Sequence, residues 1–258
     1  MSEHTNKPKG NAIYILPNLI TTAALLSGFS AILLALDGYY IKASMLVFIA
    51  MIFDGMDGRV ARWTNTSSAF GEQYDSLSDL ISFGVAPAII IYEWSLKGLM
   101  NDATIKIVAN FSWFAVYLYL ACAALRLARF NVQIGSVDKR FFIGMPSPTA
   151  AAIVVGLVWF SMAVGLTGEQ MEYVALILTV YTALMMVSNV KFYSFKTINM
   201  NKQVKFFALI PVVVYSGFLL ASPAKTLFLT MLIYGFSGPV YMGCRCYRRA
   251  QLKRRNRS

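Results

Sequence analysis

The chain has 258 residues, of which 57% are hydrophobic and 14% are charged, and its mean hydropathy is +0.58. A soluble domain of this length does not need so much apolar surface, so the composition indicates a membrane protein. The formal net charge is +11, but the basic residues cluster at the ends of apolar stretches and in the C-terminal tail, which argues against nucleic-acid binding. Three cysteines make a disulfide framework improbable. The single histidine, His4, lies in a polar tail, so a carboxylate is the default catalytic base.

Apolar stretches long enough to cross about 30 Å of hydrocarbon, roughly 20 residues each, recur along the chain. They predict an all-α integral membrane protein built as a polytopic bundle of about eight transmembrane helices. No small-residue cleavage site follows the first stretch, so we interpret it as a retained span and not as a cleaved signal. The predicted spans are 15–36, 41–61, 76–97, 105–130, 148–167, 171–190, 206–221 and 226–243.

Lysines and arginines fall mainly on one side when these spans are laid out from a cytoplasmic N-terminus. Of the 23 basic residues, four face the opposite side, namely Lys42, Lys97, Lys106 and Lys225. This bias predicts that both termini are cytoplasmic. The predicted organisation is a tail over 1–12, a transmembrane domain over 13–243 and a basic tail over 244–258, whose charge suits anionic lipid headgroups.

Four aspartates in an otherwise apolar chain are the strongest functional signal. Asp54 and Asp57 close the cytoplasmic half of the second span, and Asp75 and Asp79 open the third. Separations of three and four residues put the members of each pair on one helix face, and the turn between the spans brings the pairs together. Because buried carboxylates need compensation, this density suits Mg²⁺ or Mn²⁺. Four carboxylates can hold two ions about 3.5–4 Å apart, as in-line phosphoryl displacement requires.

Small and basic residues beside the aspartates agree with phosphate chemistry. Gly58 and Gly71 let a phosphate or a nucleotide approach the backbone closely, and Ala61 keeps the same face narrow. Arg62, and less directly Arg59, could bind phosphate oxygens. Intramembrane carboxylates also build proton relays and cation paths, so without this spacing a transporter would be equally favoured.

The run over residues 54–79, DGMDGRVARWTNTSSAFGEQYDSLSD, resembles the signature of the CDP-alcohol phosphotransferases and matches all its defining positions. The resemblance implies an integral membrane enzyme that transfers a substituted phosphoryl group from a CDP-linked donor to an alcohol and releases CMP. The segments LPNLITTAALLSGFSA, DSLSDLISFGVAPAII, LRLARFN and FFIGMPSPTAAA look like those of the bacterial and archaeal members that use serine. They imply CDP-diacylglycerol and L-serine as substrates, two Mg²⁺ or Mn²⁺ ions and a homodimer. They also imply a prokaryotic cytoplasmic (inner) membrane, with the active site facing the cytoplasm.

The same resemblance implies roles for individual residues. All four aspartates correspond to metal ligands, and Asp79 also corresponds to the general base for the attacking hydroxyl. Thr21 and Thr22 are weaker candidates for contact with the nucleotide, because hydroxyls in membrane spans commonly bond their own helix backbone. The residues expected to contact CDP-diacylglycerol are Asn18, Gly58, Arg62 and Gly71.

Acceptor binding is less strongly indicated. Arg126 and Arg129 lie one turn apart near the inner end of the fourth span, with Asn131 following, and could bind the carboxylate of the acceptor. Arginines in this position could equally anchor the topology by extending to the interface. The segment over residues 144–148 could close over the acceptor pocket or form a rigid turn before the next span.

Two other classes of function remain open at the level of sequence. A sister enzyme using choline, glycerol 3-phosphate or inositol phosphate would keep the same aspartates, but a phosphate-bearing acceptor should need more cations facing the cavity. A membrane transporter or scaffold with a carboxylate cluster would not need glycine, alanine and arginine at these intervals.

Overall fold

The computed structural model describes residues 12–64, 68–101, 106–133, 141–193 and 209–255, and these are almost entirely helical. Two π-helical turns, Leu80–Val85 and Tyr92–Leu96, continue the helix that begins at Ala69, and a 3₁₀ turn, Glu169–Met171, leads into the helix that begins at Glu172. The helices are α1 Ala12–Leu36, α2 Tyr40–Thr64, α3 Ala69–Asp79, α4 Ala86–Ile91, α5 Gly98–Asn101, α6 Lys106–Gln133, α7 Ser147–Ala163, α8 Glu172–Val187, α9 Leu209–Ala221 and α10 Pro223–Arg255. Two short strands are β1 Phe141–Ile143 and β2 Lys191–Tyr193.

The prediction of an all-α polytopic membrane protein is confirmed. Within the described ranges, five helices are long and apolar enough to cross a membrane, namely Leu16–Leu36, Ala69–Leu96, Phe111–Val132, Glu169–Val187 and Pro223–Cys244. Shorter apolar helices cover Ser147–Ala163 and Ile210–Ala221. The helix α2 has 25 residues but carries charged side chains in its second half. The count of eight spans therefore stays a prediction.

Several sequence predictions concern residues outside the described ranges. The tail over 1–11 and residues 256–258 belong to this group, as do the basic residues Lys139, Arg140, Lys196, Lys202 and Lys205. The predicted domain limits and the cytoplasmic placement of both tails stay predictions.

The helix α7 lies at the centre of the bundle, and most of its side chains from Ser147 to Val158 are buried. A helix that is apolar on all sides is expected to be surrounded by other elements. The helices α1 and α2 pack together through Ala31, Ala35, Ala43 and Ala50, which are fully buried. Small residues at such contacts let helix backbones approach closely within a membrane.

The third span packs against α1 at a close backbone contact around Gly28. A Cβ atom at this position would lie 2.7 Å from the Cα atom of Ser82, so a larger residue would have to displace a helix. Ser82 Oγ donates a hydrogen bond of 3.2 Å to the Ala24 carbonyl oxygen. One turn earlier, Ser78 Oγ donates a bond of 3.2 Å to the Thr21 carbonyl oxygen. These contacts fix α1 beside the half of the third span that carries the aspartates.

The third span widens immediately after Asp79. The following turn, Leu80–Val85, is π-helical, a local change that often accompanies functional sites. The Phe83 carbonyl oxygen in this turn accepts a hydrogen bond of 3.0 Å from the hydroxyl of Tyr119 on α6. The buried Tyr119 side chain thus ties α6 to the widened turn.

A two-stranded antiparallel ribbon joins the segment before α7 to the segment after α8. Phe142 of β1 is paired with Phe192 of β2. Beyond the ribbon, the Gly144 amide donates to the Val190 carbonyl oxygen at 2.8 Å, and the Met145 amide donates to the Met185 carbonyl oxygen at 2.9 Å. These bonds fix the chain just before α7 begins, and the sequence did not predict them.

We expect Gly28→Ala to lower the thermal stability, because the added methyl group would meet the backbone of Ser82. Overpacking of this kind costs about 1–3 kcal/mol. The measurement is the unfolding midpoint of the purified protein in detergent. Gly217→Ala in α9 is the control, since nothing lies within 4 Å of its added Cβ atom. Its midpoint should equal or slightly exceed that of the unchanged protein, and equal midpoints for the two variants would contradict the described packing.

Candidate active site

Three of the predicted metal ligands come together where the C-terminal half of α2 lies beside the start of the third span. One carboxylate oxygen each from Asp54, Asp57 and Asp75 lies within 4.8 Å of the others, and we call these residues the aspartate triad. Ser68 fixes the start of α3, because its Oγ accepts a hydrogen bond of 3.0 Å from the Gly71 amide. Rigid helices on both sides of a short connection therefore position the triad.

Asp79 lies one turn further along α3 than Asp75. Its carboxyl group is within hydrogen-bonding reach of Asp54 and also interacts electrostatically with Asp75. It is therefore next to the aspartate triad, on the side toward the π-helical turn.

The donor set of the triad fits a hard divalent cation. Carboxylate oxygens are the ligands typical of Mg²⁺ and Mn²⁺, whereas zinc sites favour cysteine and histidine. Three negative charges at this separation repel one another unless a cation lies between them. The structure thus supports the prediction that a group of aspartates can hold a metal ion. The identity and the number of the ions stay predictions.

Asp57 is the most buried member of the triad, with 5% of its surface exposed. Its Oδ2 accepts a hydrogen bond of 2.7 Å from the hydroxyl of Thr21 on α1. Its Oδ1 accepts a hydrogen bond from the Gly58 amide. Thr21 was only a weak candidate from sequence, because nothing in the spacing of residues shows that α1 passes beside Asp57.

A pocket opens between α1, α2 and α3 directly beside the triad. It brings three of the four residues predicted to contact CDP-diacylglycerol, Asn18, Gly58 and Gly71, together with two triad members. A Cβ atom on Gly71 would lie 3.4 Å from Asn18 Oδ1, so glycine keeps the passage open. The lining residues are Pro17, Asn18, Thr21, Asp57, Gly58, Ala61, Ser68, Gly71, Glu72 and Asp75. Ser68 and Glu72 are members of this lining that the sequence did not single out.

The fourth predicted contact of CDP-diacylglycerol, Arg62, lies at the edge of this pocket. It is exposed in the last turn of α2, and its guanidinium is 3.7 Å from the position that a Cβ atom of Gly58 would take. Its charge acts on Asp57. An exposed guanidinium in this position can reach a phosphate bound over Gly58.

The three predicted acceptor residues have different surroundings. Arg126 interacts electrostatically with Asp79 and Asp54, and it donates a hydrogen bond to the Ser147 hydroxyl at the start of α7. Arg129 donates to the Val187 carbonyl oxygen at 3.2 Å and to Asn189 Oδ1 at 2.8 Å. Arg129 is thus engaged at the C-terminal end of α8.

Asn131 donates a hydrogen bond of 3.0 Å from Nδ2 to Ser76 Oγ, and so connects the end of α6 with α3. The segment over residues 144–148 contains buried Met145 and Ser147 and is fixed by its backbone bonds. Of the two alternatives that the sequence left open, a closing segment or a rigid turn, the segment has the features of a rigid turn. Its Ser147 hydroxyl is in direct contact with Arg126.

Several known proteins are similar in sequence to this chain over most of its length. A protein of Helicobacter pylori named CDP-diacylglycerol–serine O-phosphatidyltransferase is 36% identical over 226 residues, which cover 87% of this chain and 91% of that protein. A Mycobacterium leprae protein of the same name is 29% identical over 238 residues, covering 89% and 76% of the two chains. An archaetidylserine synthase of Methanothermobacter thermautotrophicus is 35% identical over 189 residues, covering 72% and 73%. The family model for CDP-alcohol phosphatidyltransferases matches residues 14–187, which include both aspartate pairs and the pocket. The chain belongs to the CDP-alcohol phosphatidyltransferase family and is a membrane enzyme.

Proposed function

We propose that the protein transfers the phosphatidyl group of CDP-diacylglycerol to the hydroxyl group of L-serine and releases CMP, as a phosphatidylserine synthase. The observation that carries the proposal is the aspartate triad at the wall of a pocket lined by Asn18, Gly58 and Gly71. The names of the relatives from Helicobacter pylori and Mycobacterium leprae support serine as the acceptor.

The donor fits the pocket by its chemistry. Gly58 and Gly71 leave room for the diphosphate to approach the backbone, and Arg62 at the pocket edge can pair with a phosphate oxygen. Asn18 offers an amide for hydrogen bonding to the cytidine. When bound, two Mg²⁺ or Mn²⁺ ions held by the four aspartates would neutralise the diphosphate and favour departure of CMP.

The reaction is a direct in-line displacement without a covalent enzyme intermediate. The serine oxygen forms a bond to the phosphorus that carries diacylglycerol, and the bond between that phosphorus and the CMP oxygen breaks. Asp79 accepts the proton of the serine hydroxyl. Its place beside the triad and near Arg126 supports this role, because a general base must lie within hydrogen-bonding reach of the acceptor hydroxyl whose proton it removes.

The charges near Asp79 favour a carboxylate-bearing acceptor over a phosphate-bearing one. Among the residues that the structure describes, Arg126 provides one guanidinium on this side of the triad, which matches the single negative charge of the serine carboxylate. Arg129, the second predicted cation, is engaged with Val187 and Asn189. A phosphate monoester carries nearly two charges at neutral pH and would need further cations.

We infer the remaining features from the sequence pattern and the family. The catalytic unit is the transmembrane domain over 13–243, and the enzyme is a homodimer in a prokaryotic cytoplasmic membrane with the active site facing the cytoplasm. The basic tail over 244–258 lies against anionic lipids. The positive-inside bias supports this orientation, since Arg59 and Arg62 follow the first aspartate pair directly.

Acceptor choice is tested by measuring CMP release from CDP-diacylglycerol by the purified protein with Mn²⁺ or Mg²⁺. Serine, choline, inositol and glycerol 3-phosphate are supplied in parallel. We expect serine alone to stimulate release, with phosphatidylserine formed in equal amount. Stimulation by another acceptor would contradict the substrate assignment. The absence of CMP release with every acceptor, in a protein with a normal unfolding midpoint, would favour a transporter or scaffold.

Asp79→Asn is expected to lower kcat at least about 100-fold, because the loss of a general base typically costs 10²–10⁴-fold in rate. Stabilisation of the protein by Mn²⁺ should be reduced but still measurable, since one of the four proposed ligands is lost while the aspartate triad remains. Asp75→Asn is the matched comparison and should lose both turnover and most of the stabilisation by Mn²⁺. The measurements are kcat and the Mn²⁺-dependent unfolding midpoint. Near-normal turnover in Asp79→Asn would exclude Asp79 as the base.

Orientation is tested by labelling single cysteines in intact cells, after replacement of the native cysteines. Trp63→Cys follows the first aspartate pair, and its position is 83% exposed. Lys97→Cys lies at the opposite end of the third span and is also exposed. A membrane-impermeant maleimide should label Lys97→Cys directly and Trp63→Cys only after permeabilisation. The reverse pattern would place the aspartates on the outer side.

A further inference from the structure

The hydroxyl of Thr21 has two acceptors within reach, and their distances differ. It lies 3.1 Å from the Pro17 carbonyl oxygen of its own helix and 2.7 Å from Asp57 Oδ2. One hydroxyl proton makes one strong bond at a time. Bonds to ionised carboxylates are shorter and about twice as strong as neutral ones, so the bond to Asp57 dominates. This contact reverses the expectation that a threonine in a span mainly bonds its own backbone.

The position of Thr21 is fixed from two sides. Its side chain is buried, with 4% of its surface exposed. Its carbonyl oxygen accepts the hydrogen bond from Ser78, which lies between Asp75 and Asp79 on α3. Thr21 therefore joins a member of the triad on α2 to the helix that carries the other aspartate pair. Moving Thr21 would therefore change the distance between Asp57 on α2 and the aspartates on α3.

The two oxygens of Asp57 are each held by one neutral donor. Thr21 binds Oδ2, and the Gly58 amide binds Oδ1. Asp75 is also within hydrogen-bonding reach of the Asp57 carboxyl group, and a cation bound by the triad would take the place of this contact between two carboxyl groups. The two donors fix the rotation of the carboxylate without neutralising its charge. A metal ligand fixed in this way needs no reordering when the ion binds.

We infer that Thr21 is a positioning residue of the metal site, which holds the Asp57 carboxylate in the orientation that a divalent cation requires. This inference rests on the proposed function, since it assumes that the aspartate triad binds Mg²⁺ or Mn²⁺. Thr21 acts through Asp57 and does not itself bind the ion. Its role is to raise the affinity of the site for the metal, whereas Asp79 acts in the chemical step.

The test compares three variants at neighbouring positions in α1. Thr21→Val keeps the shape of the side chain and removes the hydroxyl, and Thr21→Ser keeps the hydroxyl. Thr22→Val is the matched control, because the Thr22 hydroxyl contacts the Asn18 carbonyl oxygen and, at 2.9 Å, the Tyr74 hydroxyl. The control thus removes a contact between α1 and α3 without altering the surroundings of Asp57.

The first measurement is the unfolding midpoint at increasing Mn²⁺, which gives the half-saturating concentration without any turnover. Loss of a hydrogen bond to a metal ligand typically costs 10–100-fold in affinity. We expect the half-saturating concentration to rise at least about 10-fold in Thr21→Val and to remain nearly unchanged in Thr21→Ser and Thr22→Val. Thr21→Ala replaces Thr21→Val if the latter has no cooperative unfolding transition, and the same shift is expected.

The second measurement is CMP release at increasing Mn²⁺. Thr21→Val should need at least about 10-fold more Mn²⁺ for its half-maximal rate, and Thr21→Ser should need nearly the same concentration as the unchanged protein. An unchanged Mn²⁺ requirement in both measurements, while the unchanged protein is stabilised by Mn²⁺, would overturn the role of Thr21 alone. If Mn²⁺ does not stabilise the unchanged protein at all, the metal site fails and the role of Thr21 fails with it.

Discussion

The mutual repulsion of closely spaced carboxylates is the constraint on which the rest of this structure depends. Three aspartate oxygens lie within 4.8 Å of one another, and Asp79 is next to them. Moving an ionised carboxylate away from bulk water costs several kcal/mol unless cations or donors compensate. The surrounding groups therefore divide into those that supply positive charge, such as Arg62 and Arg126, and those that donate neutral hydrogen bonds. A divalent ion provides the largest compensation such a site can receive.

Holding this arrangement demands that three helices keep fixed distances, and small residues and short polar side chains do this. Gly28 lets α1 approach the third span, and Ser78 and Ser82 bond to carbonyl oxygens of α1 across the contact. Each serine reaches a carbonyl group of the neighbouring helix, which is an efficient contact where little water competes. The close approach brings Thr21 to Asp57. The packing of α1 and the geometry of the carboxylates are therefore parts of one arrangement.

The local parts of this architecture could be predicted from the sequence, and the parts that depend on distant contacts could not. Hydropathy predicts helices because a backbone in hydrocarbon must satisfy its own hydrogen bonds. The aspartate pairs follow from separations of three and four residues, which need no tertiary information. The ribbon joins segments about 50 residues apart through strands of three residues, too short to show alternation. The π-helical turn after Asp79 could likewise not be predicted from the sequence, because its formation depends on how the helices pack and not on the propensities of its residues.

The surroundings of Arg126 and Arg129 also depend on distant contacts, which the local sequence does not reveal. Arg126 and Arg129 are both arginines one turn apart near the end of an apolar stretch, so sequence treats them alike. In the structure, Arg126 donates a hydrogen bond to Ser147 and interacts electrostatically with Asp79 and Asp54, whereas Arg129 contacts Val187 and Asn189. The difference arises because α7 begins beside Arg126, and the ribbon and its neighbouring backbone bonds fix where α7 begins.

The ribbon, which the sequence did not predict, thus helps to fix the surroundings of Arg126, the residue proposed to bind the carboxylate of the acceptor. Arg126 extends from α6 toward the aspartates and has Ser147 as its partner at the start of α7. A guanidinium needs several acceptors, so a serine hydroxyl leaves most of its donors available for a bound carboxylate. The same charge compensates Asp79 and Asp54 when the acceptor is absent. The acceptor binding proposed for Arg126 and its compensation of Asp79 and Asp54 would therefore depend on one side chain, so that replacing Arg126 should change both together.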